Sequence, residues 1–261
     1  MSIISNASDL IELSKFQDLN SILNVSTGIY LIQKWIIYLI CFMFERELNF
    51  MYKNQFKQIN HFKKFPSLMP FVGSKYNSLT ENKILLLGES HYLPNYSKIS
   101  ANADDWYNKD QSYLNDEETQ WIHTSNILNG NLKSKGHYIY RELNRCLEHV
   151  FPKDPRPLDH ICFMNSFQRP SQESGVTIKH SLKKIDKTVA INTINDTIKI
   201  IQPAKIIFVS KLAWKHLGEK VRQDNNSKII DFTCHPCTGG RFWHKKNYAS
   251  GIDKFLKLID D

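Results

Sequence analysis

Two short polar clusters hold the residues best suited to chemistry. Gly88-Glu89-Ser90-His91-Tyr92 follows an apolar run over 83–87, and Thr233-Cys234-His235-Pro236-Cys237 follows Ile229-Ile230-Asp231-Phe232. Glu89 is the carboxylate of the first cluster; it could position or activate water, or orient a neighbour. His235 can donate to an oxygen that gains negative charge, or act as an acid. Asn165, closing a third apolar run, donates and accepts side by side, which suits the edge of a base or an amide. Gly88 allows a flat ligand to approach the main chain. Each residue also has a plainer reading. Asn165 could cap the loop backbone, His235 before Pro236 could be a packed histidine, and Glu89 could pair with a lysine. Their joint placement at the ends of apolar runs points to a site.

Short apolar runs bounded by turn residues read as strands buried on both faces. Four occur, at 83–87, 160–164, 205–209 and 228–232, and helical patterns follow at 137–150, 183–201, 212–221 and 246–259. That alternation predicts a parallel sheet with right-handed crossovers, covered on both faces. The expected fold is therefore α/β: a three-layer α/β/α domain on a central four-stranded parallel sheet. Ligands of open α/β sheets bind just outside the carboxyl ends of the strands. The four ends would bring Gly88 to Tyr92, Asn165 with Arg169, Ser210-Lys211, and His235-Pro236-Cys237 to one rim. The long polar segment 93–136 reads as a loop-rich wall or lid over that rim.

Residues 7–25 read as one or two short amphipathic helices, and the hydrophobic stretch 30–44 reads as a helix packed on the body or on a partner. That stretch is shorter than the ~20 apolar residues a spanning helix needs, and Gln33 and Lys34 interrupt it, so membrane association is disfavoured. Met51 opens Met-Tyr-Lys-Asn-Gln-Phe-Lys, which reads like a natural protein start. Residues 1–50 are thus expected to be a helical N-terminal extension, or the product of an upstream start codon, ahead of a domain over 51–261. A basic, aromatic helix is expected over 51–64, with Phe56, Ile59 and Phe62 turned to the core.

The 261-residue composition is that of an ordinary globular chain, with 41% hydrophobic and 23% charged residues. The net charge of +8 is unevenly spread: residues 1–50 carry −2 and the remainder +10. A basic excess favours polyanions such as nucleic acid, but also fits a soluble basic surface. Five cysteines, odd in number and irregular in spacing, fit a reducing, cytoplasmic compartment. Cys234 and Cys237 form one close pair without a second, so no metal is expected.

In their order and strand-end placement these motifs resemble the uracil-DNA glycosylase superfamily, over about residues 70–261. The motifs that carry the resemblance are Leu87-Gly88-Glu89-Ser90-His91-Tyr92, Phe163-Met164-Asn165, Ser210-Lys211-Leu212-Ala213 after the third strand, and His235-Pro236-Cys237. The pattern departs from the best-known members at three places. Ser90 stands where they have a water-activating Asp, His91 where Pro is usual, and Cys237 where the last motif ends in Ser. Some branches lack that Asp and carry a Glu at the position of Glu89. Tyr92 falls where the uracil-specific branch has a Tyr that excludes the thymine methyl group. A branch with an iron–sulfur cluster has a close cysteine pair near its start, which this chain lacks there. No cluster and no other cofactor is expected.

The resemblance implies base flipping followed by hydrolysis of the N-glycosidic bond of a damaged or modified base in double- or single-stranded DNA. It implies catalytic roles for Glu89, Ser90 and His235, and substrate contacts from Gly88, His91, Tyr92, Asn165 and Arg169. Ser210, Lys211, Arg241, Phe242, Trp243, Lys245 and Lys246 would contact DNA, with Phe242 or Trp243 as an apolar wedge and the basic residues on phosphates. Both aromatics also suit a core. A monomer is expected. The altered first motif leaves two rivals: a relative of the same fold that binds nucleic acid or nucleotide without cutting, and a metal- or His-dependent esterase-like hydrolase suggested by Gly88-Glu89-Ser90-His91 alone.

Overall fold

The computed structural model describes residues 34–36, 50–79, 82–172, 175–236, 242–244 and 250–260. The chain divides into two compact units, Met1–Met51 and Tyr52–Asp261. In the first, residues 34–36 are helical; the helices expected over 7–25 and most of 30–44 lie outside the described residues. Among the described residues no helix is long and apolar enough to cross a membrane.

The second unit is built on one sheet of five strands: β1 Phe71–Val72, β2 Ile84–Gly88, β3 Ile161–Asn165, β4 Lys205–Phe208 and β5 Ile229–Phe232. Their order is β1-β3-β2-β4-β5. β2 to β5 are parallel to their neighbours, whereas β1 runs antiparallel along β3, with Phe71 opposite Phe163. The expected four-stranded parallel sheet is thus corrected to a five-stranded mixed one. The added strand is two residues long, too short for hydrophobic alternation to mark it, and Pro70 precedes it.

Alternation along the strands separates two cores. Leu85, Leu87, Cys162, Met164, Ile206 and Phe208 enter one, and Ile84, Leu86, Ile161, Phe163 and Ile207 the other. Every residue of β2 and β3 is buried, which accounts for their unbroken apolar character. Burying one such Leu or Phe side chain contributes ~1.5–3 kcal/mol.

Eight helices are numbered in this unit. They are α1 Asn60–Lys64, α2 Ala103–Asn108, α3 Asp116–Ile122, α4 Thr124–Asn129, α5 Tyr138–Val150, α6 Lys184–Ile201, α7 over 211–224 and α8 Gly251–Asp260. Helices α6 and α7 contribute Ile194, Ile198, Leu217 and Val221 to the first core; α5 and α8 contribute Leu143, Leu147, Phe255 and Ile259 to the second. The chain leaves β2 toward α5 on one face and leaves β3 and β4 toward α6 and α7 on the other. The crossover direction therefore reverses at β2, and such a switch point opens a crevice beyond the strand's carboxyl end.

Two further expectations change. The basic aromatic helix is interrupted at 57–59, although Phe56, Ile59 and Phe62 are all buried. Segment 93–136 is not a bare loop: it contains α2, α3 and α4. Its Asn and His residues cap these helices. Asn102 and Asn115 accept from the backbone N–H of Asp105 and Glu118 at 3.0 and 2.9 Å, and His123 accepts from Asn126 at 3.3 Å.

Candidate active site at the strand ends

β2 and β3 end in register, so Gly88 and Asn165 are neighbours. A Cβ at Gly88 would lie 2.3 Å from Asn165 Oδ1 and 2.8 Å from the Phe163 ring, so the Asn165 side chain lies directly against the bare Gly88 backbone. Asn165 is only 6% exposed. Its backbone carbonyl accepts from Gln168 Nε2 at 2.6 Å, while Ser166 Oγ donates to the Gly88 backbone carbonyl at 2.7 Å. Backbone bonds continue past the sheet, from Phe167 N–H to the Glu89 carbonyl at 2.9 Å and from Ser171 N–H to the His91 carbonyl at 2.8 Å. Tyr92 pairs with Ser171 in a parallel bridge. The loops leaving β2 and β3 are therefore joined along their length.

The Glu89 side chain turns to other partners. Thr177 Oγ1 donates to its Oε1 at 2.6 Å, and Ser210 Oγ donates to its Oε2 at 3.0 Å. His235, at the end of β5, feels the charge of the same carboxylate. Burial lowers its pKa, the Glu89 charge opposes that, and the net direction is down, toward a neutral imidazole. Carboxylate and imidazole thus come from strand ends separated in the sheet by β4.

Ser90 is 9% exposed, and its hydroxyl is buried without a protein hydrogen-bond partner. His91 is buried, with Nε2 3.0 Å from Thr124 Oγ1. Burial, aided by the charge of His123, depresses its pKa to about 3, so it is neutral. It ties the β2 loop to α4.

Several residues assigned to substrate or DNA stand elsewhere. Arg169 is 1% exposed. Its guanidinium meets the Asp186 carboxylate through Nε and Nη2, both at 2.9 Å, and also donates to the carbonyls of Ala101 and Ser181. With these donors taken by the protein it is an internal strut, not a rim contact. Ser210 is fully buried: it caps α7 by accepting from Ala213 N–H at 3.2 Å, and spends its proton on Glu89. Lys211 is exposed beside it. Its charge reaches the Cys234 thiol, which burial pushes up and the lysine opposes, so Lys211 borders the β5 end.

Trp243 is 0% exposed, packs on Phe255 and donates Nε1 to Glu142 Oε2 at 3.2 Å. It belongs to the core and is withdrawn as a wedge, whereas Phe242 is 61% exposed. Their carbonyls accept from the N–H groups of Gly251 and Ile252 at 2.9 and 3.2 Å, which anchors Phe242 to the start of α8. Cys237, Arg241, Lys245 and Lys246 lie outside the described residues.

Thr177 was not singled out from the sequence. It caps the short turn Ile178–Ser181 by accepting from Lys179 N–H at 3.3 Å, a role its type suggests, but nothing local ties it to Glu89. The assembled rim offers a held carboxylate, an imidazole under its influence, an unpartnered buried hydroxyl and an amide laid against glycine. Such a set can accept a proton or a water hydrogen at one point and donate to an electron-rich oxygen at another. Comparison with known protein families and with curated proteins finds no match for this chain.

Proposed function

We propose that this protein is a DNA glycosylase-like hydrolase that takes a damaged or modified base out of the stack and cleaves its N-glycosidic bond. The observation that carries the reading is the gathering of Gly88, Glu89, Asn165 and His235 from three parallel strands at the switch-point rim. Asn165 reads the edge of the flipped base, whose plane lies near the Gly88 backbone. Tyr92 and His91 form the wall. As the C–N bond breaks, its electron pair goes to the base, and His235 donates to the carbonyl oxygen that gains charge. Glu89 orients the water whose oxygen bonds to the sugar carbon, with Ser90 as a second partner for that water. The water's proton ends on the departing base, leaving free base and an abasic site.

DNA as partner is supported by the basic excess and by Lys211, which borders the β5 end. Lys179, Lys183, Lys184 and Lys187 follow Thr177 in the sequence, and Lys215 follows Lys211. Phe242 is the proposed wedge. Free thiols at Cys146, Cys162 and Cys234 suit the proposed cytoplasmic setting. A second reading, binding without cleavage, is favoured by Ser90 standing at the usual Asp position.

A base-release assay tests the proposal. DNAs carrying uracil, hypoxanthine, xanthine and hypermodified pyrimidines are incubated with wild type, Asn165→Ala and His235→Ala, then treated with alkali. The expected result is cleavage of one substrate by wild type, lost in both variants. Salt-sensitive DNA binding with no base release from any substrate would replace it with the second reading.

A further inference from the structure

Glu89 is held at both of its carboxylate oxygens. Each of its oxygens receives one hydroxyl, and each hydroxyl is itself the cap of a helical turn. Thr177 accepts from Lys179 N–H at 3.3 Å and donates to Oε1 at 2.6 Å; Ser210 accepts from Ala213 N–H at 3.2 Å and donates to Oε2 at 3.0 Å. A hydroxyl has one proton and two lone pairs. With a backbone N–H engaging a lone pair from the helix side, the proton of each is directed to the carboxylate. The two caps sit on different loops, one after β3 and one after β4, so together they fix the side chain about both of its oxygens.

We infer that Thr177 and Ser210 are positioning residues that orient the Glu89 carboxylate for its water. This rests on the glycosylase reading and deepens it. An ionised carboxylate offers about four acceptor directions; the caps take two and leave about two for a water. Glu89 therefore works as a fixed acceptor. The inference also moves Ser210 from a DNA contact to the support of Glu89, and brings in Thr177, 88 residues away in sequence.

The test uses the full chain with Thr177→Val, Thr177→Ser and Ser210→Ala, each checked for a wild-type melting transition. Two readouts are taken: crystal structures of the variants, and kcat and KM for release of whichever base wild type excises. The Glu89 carboxylate is expected to leave its place in Thr177→Val and to return in Thr177→Ser. The same pair should show kcat lowered roughly 10–100-fold and then recovered, with KM within about twofold, as expected for a misplaced reacting group. Ser210→Ala should lower kcat likewise. An unmoved carboxylate in both Thr177→Val and Ser210→Ala, or unchanged kcat in both, would overturn the inference. If wild type releases no base, the glycosylase reading fails on its own, and the carboxylate position in the variants still decides whether the caps hold it.

Discussion

Ser210 donates to Glu89 across 121 residues of sequence, at 3.0 Å, and joins the end of β4 to the end of β2. Removing the carboxylate's charge while keeping its shape should expose its role. Glu89→Gln puts an amide donor toward one of the two hydroxyls, both of which now donate. Base release is expected to fall by ~100-fold or more, with DNA binding within a few-fold of wild type. Paired kinetic and fluorescence-anisotropy measurements check it; undiminished turnover would remove Glu89 from the chemistry.

Gly88→Ala should be costly despite adding one methyl group. The new Cβ meets Asn165 Oδ1 at 2.3 Å and the Phe163 ring at 2.8 Å, and the ring is locked in the second core. Overpacking of this kind costs ~1–3 kcal/mol, read as a lowered urea midpoint. Activity should fall further than stability, because Asn165 must turn aside.

The Arg169–Asp186 pair is buried on both sides, and Tyr107 OH also donates to Asp186 Oδ1 at 2.9 Å. Removing one partner leaves a buried charge alone, so Arg169→Ala or Asp186→Ala is expected to destabilise by ~3–5 kcal/mol. Denaturant titration checks this. A loss of activity at full stability would instead restore Arg169 as a substrate contact.

The pH dependence of stability follows from His91. Its pKa falls from 6.5 to about 3 on burial, so the unfolded chain takes up a proton that the folded chain refuses. Stability from this group is intact above pH ~6.5 and falls as pH drops toward 3, by at most ~1.4 kcal/mol per unit. His61, lowered to about 4 chiefly by burial, acts in the same direction. Between pH 6.5 and 4 the unfolding free energy of His91→Gln should fall less steeply than that of wild type; parallel slopes would contradict this.

Phe242 and Trp243 should separate cleanly. Trp243→Ala empties a fully buried position and is expected to cost ~3–5 kcal/mol. Phe242→Ala, at an exposed position, should leave stability within ~0.5 kcal/mol while weakening DNA binding. Melting curves and binding isotherms on the two variants distinguish them.

Strands β2, β3 and β4 were legible in the sequence because burial on both faces demands a mostly apolar run, and each run ends where a polar cluster begins. Edge strand β5 was read by the same pattern, although Ile229 is exposed and only Ile230 in it is buried. These run ends marked Gly88, Glu89, Asn165 and His235 as rim residues from the sequence. Helix α6 was equally plain, since its periodic pattern runs up to Gln202 and Pro203. The two-residue edge strand β1 carried no period, and the caps of α2, α3 and α4 share their residue types with loops. What only the tertiary structure decided is which polar groups spend their hydrogen bonds on one another. Arg169 was read as free for a ligand but is consumed by Asp186, Trp243 lies in the core while its neighbour Phe242 is exposed, and Thr177 and Ser210 converge on Glu89. Hydrophobic burial follows a local period, whereas hydrogen-bond partners are chosen by proximity across distant segments, and that proximity exists only once the sheet order has been set.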